Sequence, residues 1–223
     1  CHFFGGGGDG VKHGDLDSSL FNPDRTLDVH MDSTGLNFTC QECHTTKDHH
    51  IAGRCYTMPT PEDRTRDMPR NLGTRLACES CHGPSPHVEN DRISELIADR
   101  INNHTDKVAC QTCHIPTFAR VNPTKMNWDW SAAGDHERGV EKDENGWVTY
   151  HYKKGEFVWE ANVVPEYFWF NGFTHNITIG DTFNPENAPI KINELEGSYS
   201  DPESLIYPFK IHSGIQPYDP VNN

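Results

Sequence analysis

Cys40-Gln41-Glu42-Cys43-His44 recurs as Cys78-Glu79-Ser80-Cys81-His82 and again as Cys110-Gln111-Thr112-Cys113-His114, and the fold turns on these three pentads. Two cysteines one helical turn apart bring both thiols within reach of a porphyrin's vinyl groups. The His that follows is then placed to ligate the iron, which is the attachment pattern of haem c. A redox Cys-x-x-Cys pair, a Zn site or a disulfide needs no His directly after every second cysteine, so the repeated pentad points to covalent haem. On this reading Cys40, Cys43, Cys78, Cys81, Cys110 and Cys113 form thioethers, and His44, His82 and His114 are proximal iron ligands. Cys1-His2 reads as the last two residues of a fourth motif, making four haems. Its rival is a lipidated terminal cysteine followed by a Gly5 to Gly8 tether. Cys55 stands outside the pattern and reads as a buried thiol.

The composition around these motifs is unusual. Of 223 residues only 43 are Leu, Ile, Val or Phe, and the formal charge is −14, which falls at the edge of the disordered class. Four macrocycles supply the apolar volume that the side chains lack, so the chain is expected to be haem-cored. No apolar run reaches the 18 or so residues that a transmembrane helix needs, and the acidic balance argues against nucleic acid and anionic membrane surfaces. The partners expected are redox proteins.

Ten histidines remain outside the motifs. His13, His30, His50, His87, His104 and His212 lie near a motif or beside an apolar residue and are the candidate distal iron ligands. His136 sits among charges and reads as surface, while His151 and His175 lie in aromatic surroundings that favour packing. Met31, Met58, Met68 and Met126 offer a His/Met alternative of raised potential, but the supply of histidines favours bis-His ligation. Haem propionates suit arginine's planar fork, and 13 of the 19 basic residues fall within positions 1–125.

The motif starts are 38 and 32 residues apart (Cys40 to Cys78 to Cys110), too close for independent domains, so the haems are expected to pack closely. Residues 1–125 are read as a multihaem c-type domain of short helices and long loops. The clearest helix is expected from Asn90 to Asn102, with Ile93, Leu96, Ile97 and Ile101 on one face; Thr57 to Pro69 reads as loop. Residues 126–223 hold all five tryptophans and no cysteine. They are read as a small, aromatic, acidic cap that returns His212 to an iron. Within it Val148 to Tyr152 and Glu156 to Trp159 form a β-hairpin around a Gly-containing turn. Asn37, Asn103 and Asn176 head glycosylation sequons, a weak pattern.

The segments 1–17 (Cys-His-Phe-Phe-Gly-Gly-Gly-Gly-Asp-Gly-Val-Lys-His-Gly-Asp-Leu-Asp), 27–31 (Leu-Asp-Val-His-Met), 37–44, 108–116 and 211–219 resemble the C-terminal half of the octahaem tetrathionate reductase family, which is related to hydroxylamine oxidoreductases and multihaem nitrite reductases. The resemblance implies a periplasmic or extracellular, largely helical, loop-rich cytochrome with mostly bis-His haems. It implies that His13, His30, His50, His87, His104 and His212 include the distal ligands. The family's lysine-ligated substrate haem belongs to the N-terminal half, so no catalytic residue carries over. Three functions follow as expectations: a relay through closely packed bis-His haems, part of an octahaem reductase acting on tetrathionate, nitrite or hydroxylamine, and a subunit of an extracellular cytochrome filament. The chain is correspondingly read as a fragment, as one chain of a split complex or as a tetrahaem protein.

Overall fold

The computed structural model describes residues 3, 8–11, 14–43, 46–47, 50–51, 78–178, 180–219 and 221. The expectations for Cys1, His2, His13, His44, Cys55 and the 57–69 loop lie outside the described residues. Contacts divide the chain into two compact units: Cys1–Phe38, Pro116–Glu166 and Phe209–Asn223 form unit 1, and Thr39–Ile115 and Tyr167–Pro208 form unit 2. Segments 1–125 and 126–223 therefore each contribute to both units.

Unit 1 is organised by a five-stranded sheet in the order β11-β3-β6-β5-β4. Its strands are β3 (Thr124–Asp129), β4 (Val140–Lys142), β5 (Val148–His151), β6 (Gly155–Glu160) and β11 (Ser213–Ile215). The expected hairpin is β5–β6, in register Tyr150↔Glu156 and His151↔Gly155. It forms because alternating Tyr150, Phe157 and Trp159 give each strand an apolar face, and because Gly155, at φ +87, turns where a side chain cannot. The hairpin is wider than expected, since β3 pairs antiparallel with β6 and β11 runs parallel to β3. Tyr150 is fully buried and Phe157 is 7% exposed. The Arg138 guanidinium lies 3.7 Å from the Tyr150 ring centre and donates to Glu141 and Glu156 at 2.8–2.9 Å.

The N-terminal part of unit 1 has little regular structure and is ordered by its acidic residues. Asp24, Asp28 and Asp32 each accept a hydrogen bond from the backbone N–H two residues on, at 2.8, 2.8 and 2.9 Å, which fixes consecutive turns without a core. Asp15, itself at φ 64, accepts from the backbone of Ala119 and Arg120 at 2.8 and 2.7 Å. Arg120 in turn donates to the carbonyls of Thr26 and Leu27.

Unit 2 carries the helices α1 (Cys40–Cys43), α2 (Glu79–His82), α3 (Glu95–His104) and α4 (Cys110–His114), together with a β1–β2 ladder (Thr46–Lys47, His50–Ile51). Its other strand pairs are β7 (Glu166–Phe170) with β10 (Leu205–Phe209), and β8 (Thr174–Asn176) with β9 (Asn193–Leu195). The largely helical fold implied by resemblance is thus met only by short helices. The expected helix from Asn90 starts later, because Asn90 Oδ1 accepts from the N–H groups of Arg92 and Ile93 at 2.8 and 3.3 Å and holds that stretch in a turn. Of its apolar face, Leu96 is 69% and Ile97 44% exposed, while Ala98 is buried.

Buried apolar side chains are few in both units. Among the described residues they are Ala98, Ala109, Ala119, Tyr150, Phe157, Val163 and Phe170. Replacing Gly155 by Ala would bring a Cβ within 1.8 Å of the Asp129 carbonyl oxygen in a left-handed backbone. We expect a loss of at least about 2 kcal/mol, read as a lowered denaturant midpoint.

Candidate functional site

Each described attachment motif forms a short helical turn. In α2 the Cys81 and His82 amides donate to the Cys78 carbonyl at 3.2 and 2.9 Å, and Gly83, at φ +74, ends the turn. In α4 the first cysteine follows buried Ala109. The amide of Ala109 donates to the Ile206 carbonyl of β10 at 3.0 Å, and the Thr112 hydroxyl donates to the same oxygen at 2.7 Å. Ile206 answers by donating to Lys107 at 2.8 Å, so β10 fixes the approach to the third motif.

The two turns are neighbours. Cys110 Sγ lies 3.9 Å from Glu79 Oε1. Burial first, and then the Glu79 carboxylate, raise the Cys78 thiol above its ordinary range. Burial and the Cys78 thiol push Cys110 up to about 11. Among the described residues no group of three or more His, Cys, Asp or Glu side chains could hold a metal ion.

The pair His87 and His114 is the most developed feature of unit 2. Their ring centroids are 6.2 Å apart and their planes differ by 13°. The rings are stacked, at roughly the 6 Å centroid spacing of two imidazoles on one metal with N–metal bonds of about 2 Å. Asn102 on α3 clamps His87 three ways. Its Oδ1 lies 3.0 Å from both the His87 backbone nitrogen and Nδ1, and its Nδ2 donates to the His87 carbonyl at 2.9 Å. With Nδ1 engaged, Nε2 is left to ligate, as in metal sites whose second ring nitrogen is held by an outer partner. Nothing in the sequence pattern singled out Asn102, which sits 15 residues from its partner.

The other candidates are placed individually. His82 closes α2 and is exposed; His104 closes α3, also exposed, and its carbonyl accepts from Lys107 and Val108 at 3.0 and 2.8 Å. His50 lies on β2 opposite Lys47. His30, in unit 1, has a ring 6.3 Å from that of Phe38 and Nδ1 3.9 Å from Asp28 Oδ1. His136 is exposed as expected, and His151 packs on Tyr152 at 5.0 Å. His175 does not pack: on β8 its neighbours Thr174 and Asn176 point inward and it points out. Asn176 is 7% exposed and bonded to Thr174 at 3.0 Å, which removes the third sequon.

His212 lies in unit 1, where its Nδ1 is 3.1 Å from the Lys125 carbonyl oxygen. Burial is the main influence, and it lowers the imidazole's pKa against the raising effect of that carbonyl. Lys125 and Lys210 stand beside it. Burial, and next the charge of Lys154, bring Lys125 down to about 8; burial, and next Lys125, bring Lys210 down to about 8. The sequence reading had passed over both lysines.

Three Cys-x-x-Cys-His motifs, whose cysteines lie on short helical turns, define a multihaem c-type cytochrome. Comparisons with known proteins agree: residues 25–115 match the model of cytochrome c7 and related cytochromes c, and residues 125–223 match that of bacterial cytochrome c. The chain superposes on the octahaem cytochrome c of Shewanella oneidensis with a TM-score of 0.75 and 44% identity, over 96% of its own length and 43% of the other's. It is a multihaem cytochrome c similar to that octahaem protein, and both family models that it matches are those of haem c proteins. The chain spans less than half the length of that octahaem protein, and no curated protein matches it. Among the described residues no helix is long and apolar enough to cross a membrane.

The loop that leads into β10 carries an acid-sensitive tie. Hydrogen bonds from the Glu203 backbone, Asn171 and Ser204 hold the Asp201 carboxyl below its ordinary pKa of 3.8. A depressed carboxyl contributes stability above its unfolded pKa and loses it as pH falls through the folded value. Unfolding midpoints should therefore drop below about pH 4, and Asp201→Asn should flatten that part of the acid profile followed by circular dichroism.

Proposed function

We propose that this chain relays electrons through closely spaced, bis-His haems, one on each of the motifs beginning at Cys40, Cys78 and Cys110 and a fourth assigned to Cys1 and His2. The observation that carries the reading is the His87–His114 pair, with its parallel rings 6.2 Å apart and Asn102 on the far nitrogen of His87. Haem c supplies a reversible one-electron couple at iron; the protein's part is to hold the ligands still. His114 is fixed by α4 and β10, and His87 by Asn102, so ligation requires little rearrangement in either. His13, His30, His50, His104 and His212 are assigned as the remaining distal candidates. The closeness of α2 and α4 at Cys110 and Glu79 supports short steps between successive haems. Covalent haem attachment favours an exported, periplasmic or extracellular location.

A second reading takes the relay as the conducting part of an octahaem reductase acting on tetrathionate, nitrite or hydroxylamine. It is favoured by the 43% coverage of the octahaem relative. Its substrate haem would lie elsewhere than in the residues assigned here, and the intact assembly would then show one high-spin iron beside low-spin ones.

The relay is tested on the purified holoprotein. Intact mass should exceed 25.3 kDa by a whole number of haems, four on this assignment, and fewer than three would overturn it. In electron paramagnetic resonance, His87→Ala should convert one low-spin ferric haem to high spin and leave the others unchanged. Asn102→Ala should loosen the same haem, broadening its signal and costing about 1–3 kcal/mol of stability for the lost clamp. An unchanged low-spin spectrum in His87→Ala would remove the pairing.

A further inference from the structure

At the start of β3 in unit 1 a group of lysines gathers with no acid to balance them. Lys125 is 7% exposed, and its Nζ sits 4.0, 4.5 and 5.0 Å from the ring centres of Phe157, Trp128 and Trp159. The negative faces of aromatic rings attract an ammonium, but they replace only part of the hydration it has lost. Lys210 Nζ donates to Thr124 Oγ1 at 2.7 Å and to the Lys125 carbonyl at 3.0 Å, and Thr124 is fully buried. His212 Nδ1 shares that carbonyl at 3.1 Å. Lys154 adjoins through its own carbonyl, which accepts from Trp128 Nε1 at 2.6 Å. The ion pairs of the described residues involve Asp28, Glu141, Glu156 and Glu194, and none reaches this group. The charges that act on Lys125 and Lys210 are those of other lysines.

This is an odd arrangement for a chain of net charge −14. Thirty-three carboxylates are available, yet among the described residues none pairs with Lys125, whose ammonium faces three aromatic rings. Buried charges are ordinarily paired. A like-signed cluster that is partly desolvated and unpaired has the character of one half of an ion pair whose other half is not a side chain.

We propose that the ammonium groups of Lys125 and Lys210, the latter steadied by Thr124, form a binding site for an oxygen-bearing anion, a carboxylate or a small dianionic oxyanion. Lysine suits such ligands as a point charge with rotatable donors. Two sources present the same chemistry: a propionate of the protein's own haem c, or a free oxyanion from solution. The site stands whether or not His212 ligates an iron.

Sulfate, with the holoprotein, is the probe. Lys210→Gln keeps a donor toward Thr124 and the Lys125 carbonyl but loses the charge. Lys125→Met keeps the fit to the rings, since a thioether packs well on aromatics. If the ligand is a free oxyanion, sulfate raises the melting temperature of the wild type more than chloride of equal ionic strength, increasing with the logarithm of concentration. Both variants then lose that increment while keeping the general stabilisation that sulfate, excluded from protein surfaces, gives any protein. If the ligand is a propionate, sulfate adds no increment to the wild type. In that case Lys210→Gln shifts the propionate bending band in resonance Raman and lowers one haem's midpoint potential, because a cation near the iron favours the reduced form. A wild type without a sulfate-specific increment, together with unchanged propionate bands in both variants, overturns the proposal.

Discussion

A chain with 43 Leu, Ile, Val and Phe in 223 residues has too little apolar surface to close a core by itself, and the rest of the structure follows from that shortage. Hydrophobic burial scales with the area removed from water. Here seven apolar side chains are buried among the described residues, while Val88, Leu96, Ile97 and Val121 remain largely exposed. The order that is present comes from elsewhere. In the N-terminal part of unit 1 it comes from Asp side chains that take backbone donors in successive turns. Around Trp128, Trp147 and Trp159 it comes from a sheet whose aromatic faces pack on one another, with centroids 4.8–5.3 Å apart. Haem c macrocycles are the apolar mass that such a chain is built to receive.

The same economy explains how unit 2 presents ligands. A helix of four or five residues has no intrinsic stability, so an attachment motif must be held from outside. The third motif shows how: Ala109 and Thr112 both bond the Ile206 carbonyl, which anchors α4 at its first turn and leaves His114 at its end to point away. Across from it, Asn102 uses both ends of its amide on His87. The His87 ring is thus oriented by polar contacts of its own, whereas His114 is placed through the backbone of its helix.

What was legible in the sequence were features that repeat or alternate. The pentads read directly, because covalent attachment allows almost no freedom in spacing. The β5–β6 hairpin read well, because Tyr150, Phe157 and Trp159 alternate around a turn that ends at Gly155. The start of α3 was misjudged: Asn90 belongs to a side-chain turn that competes with the helix, and apolar spacing carries no sign of that competition. The strands β3 and β11 were missed because their pairing is set by residues some 85 positions apart, as in Ser213↔Asn127. Asn102 and Lys125 were missed for the same reason. A clamp and a charge cluster are defined by what faces them, and a single sequence shows only what precedes and follows.

Charge placement separates Lys125 and Lys210 from the rest. Most acidic residues here are exposed and work as turn formers or as partners of surface cations such as Arg138 and Lys191. A surface of net negative charge repels other anionic proteins and keeps the chain soluble at high concentration, but it also lowers the potential of any haem near it, because reduction adds an electron to an already negative field. Cations set inward, away from water, oppose that field more strongly per charge than cations outside, since the interior screens them less. A chain of this composition can therefore keep an acidic exterior and still vary potential along its haems, provided a few ammonium groups are buried next to chosen sites. Lys125, and Lys210 bonded to the same carbonyl as His212, are ammonium groups of that kind.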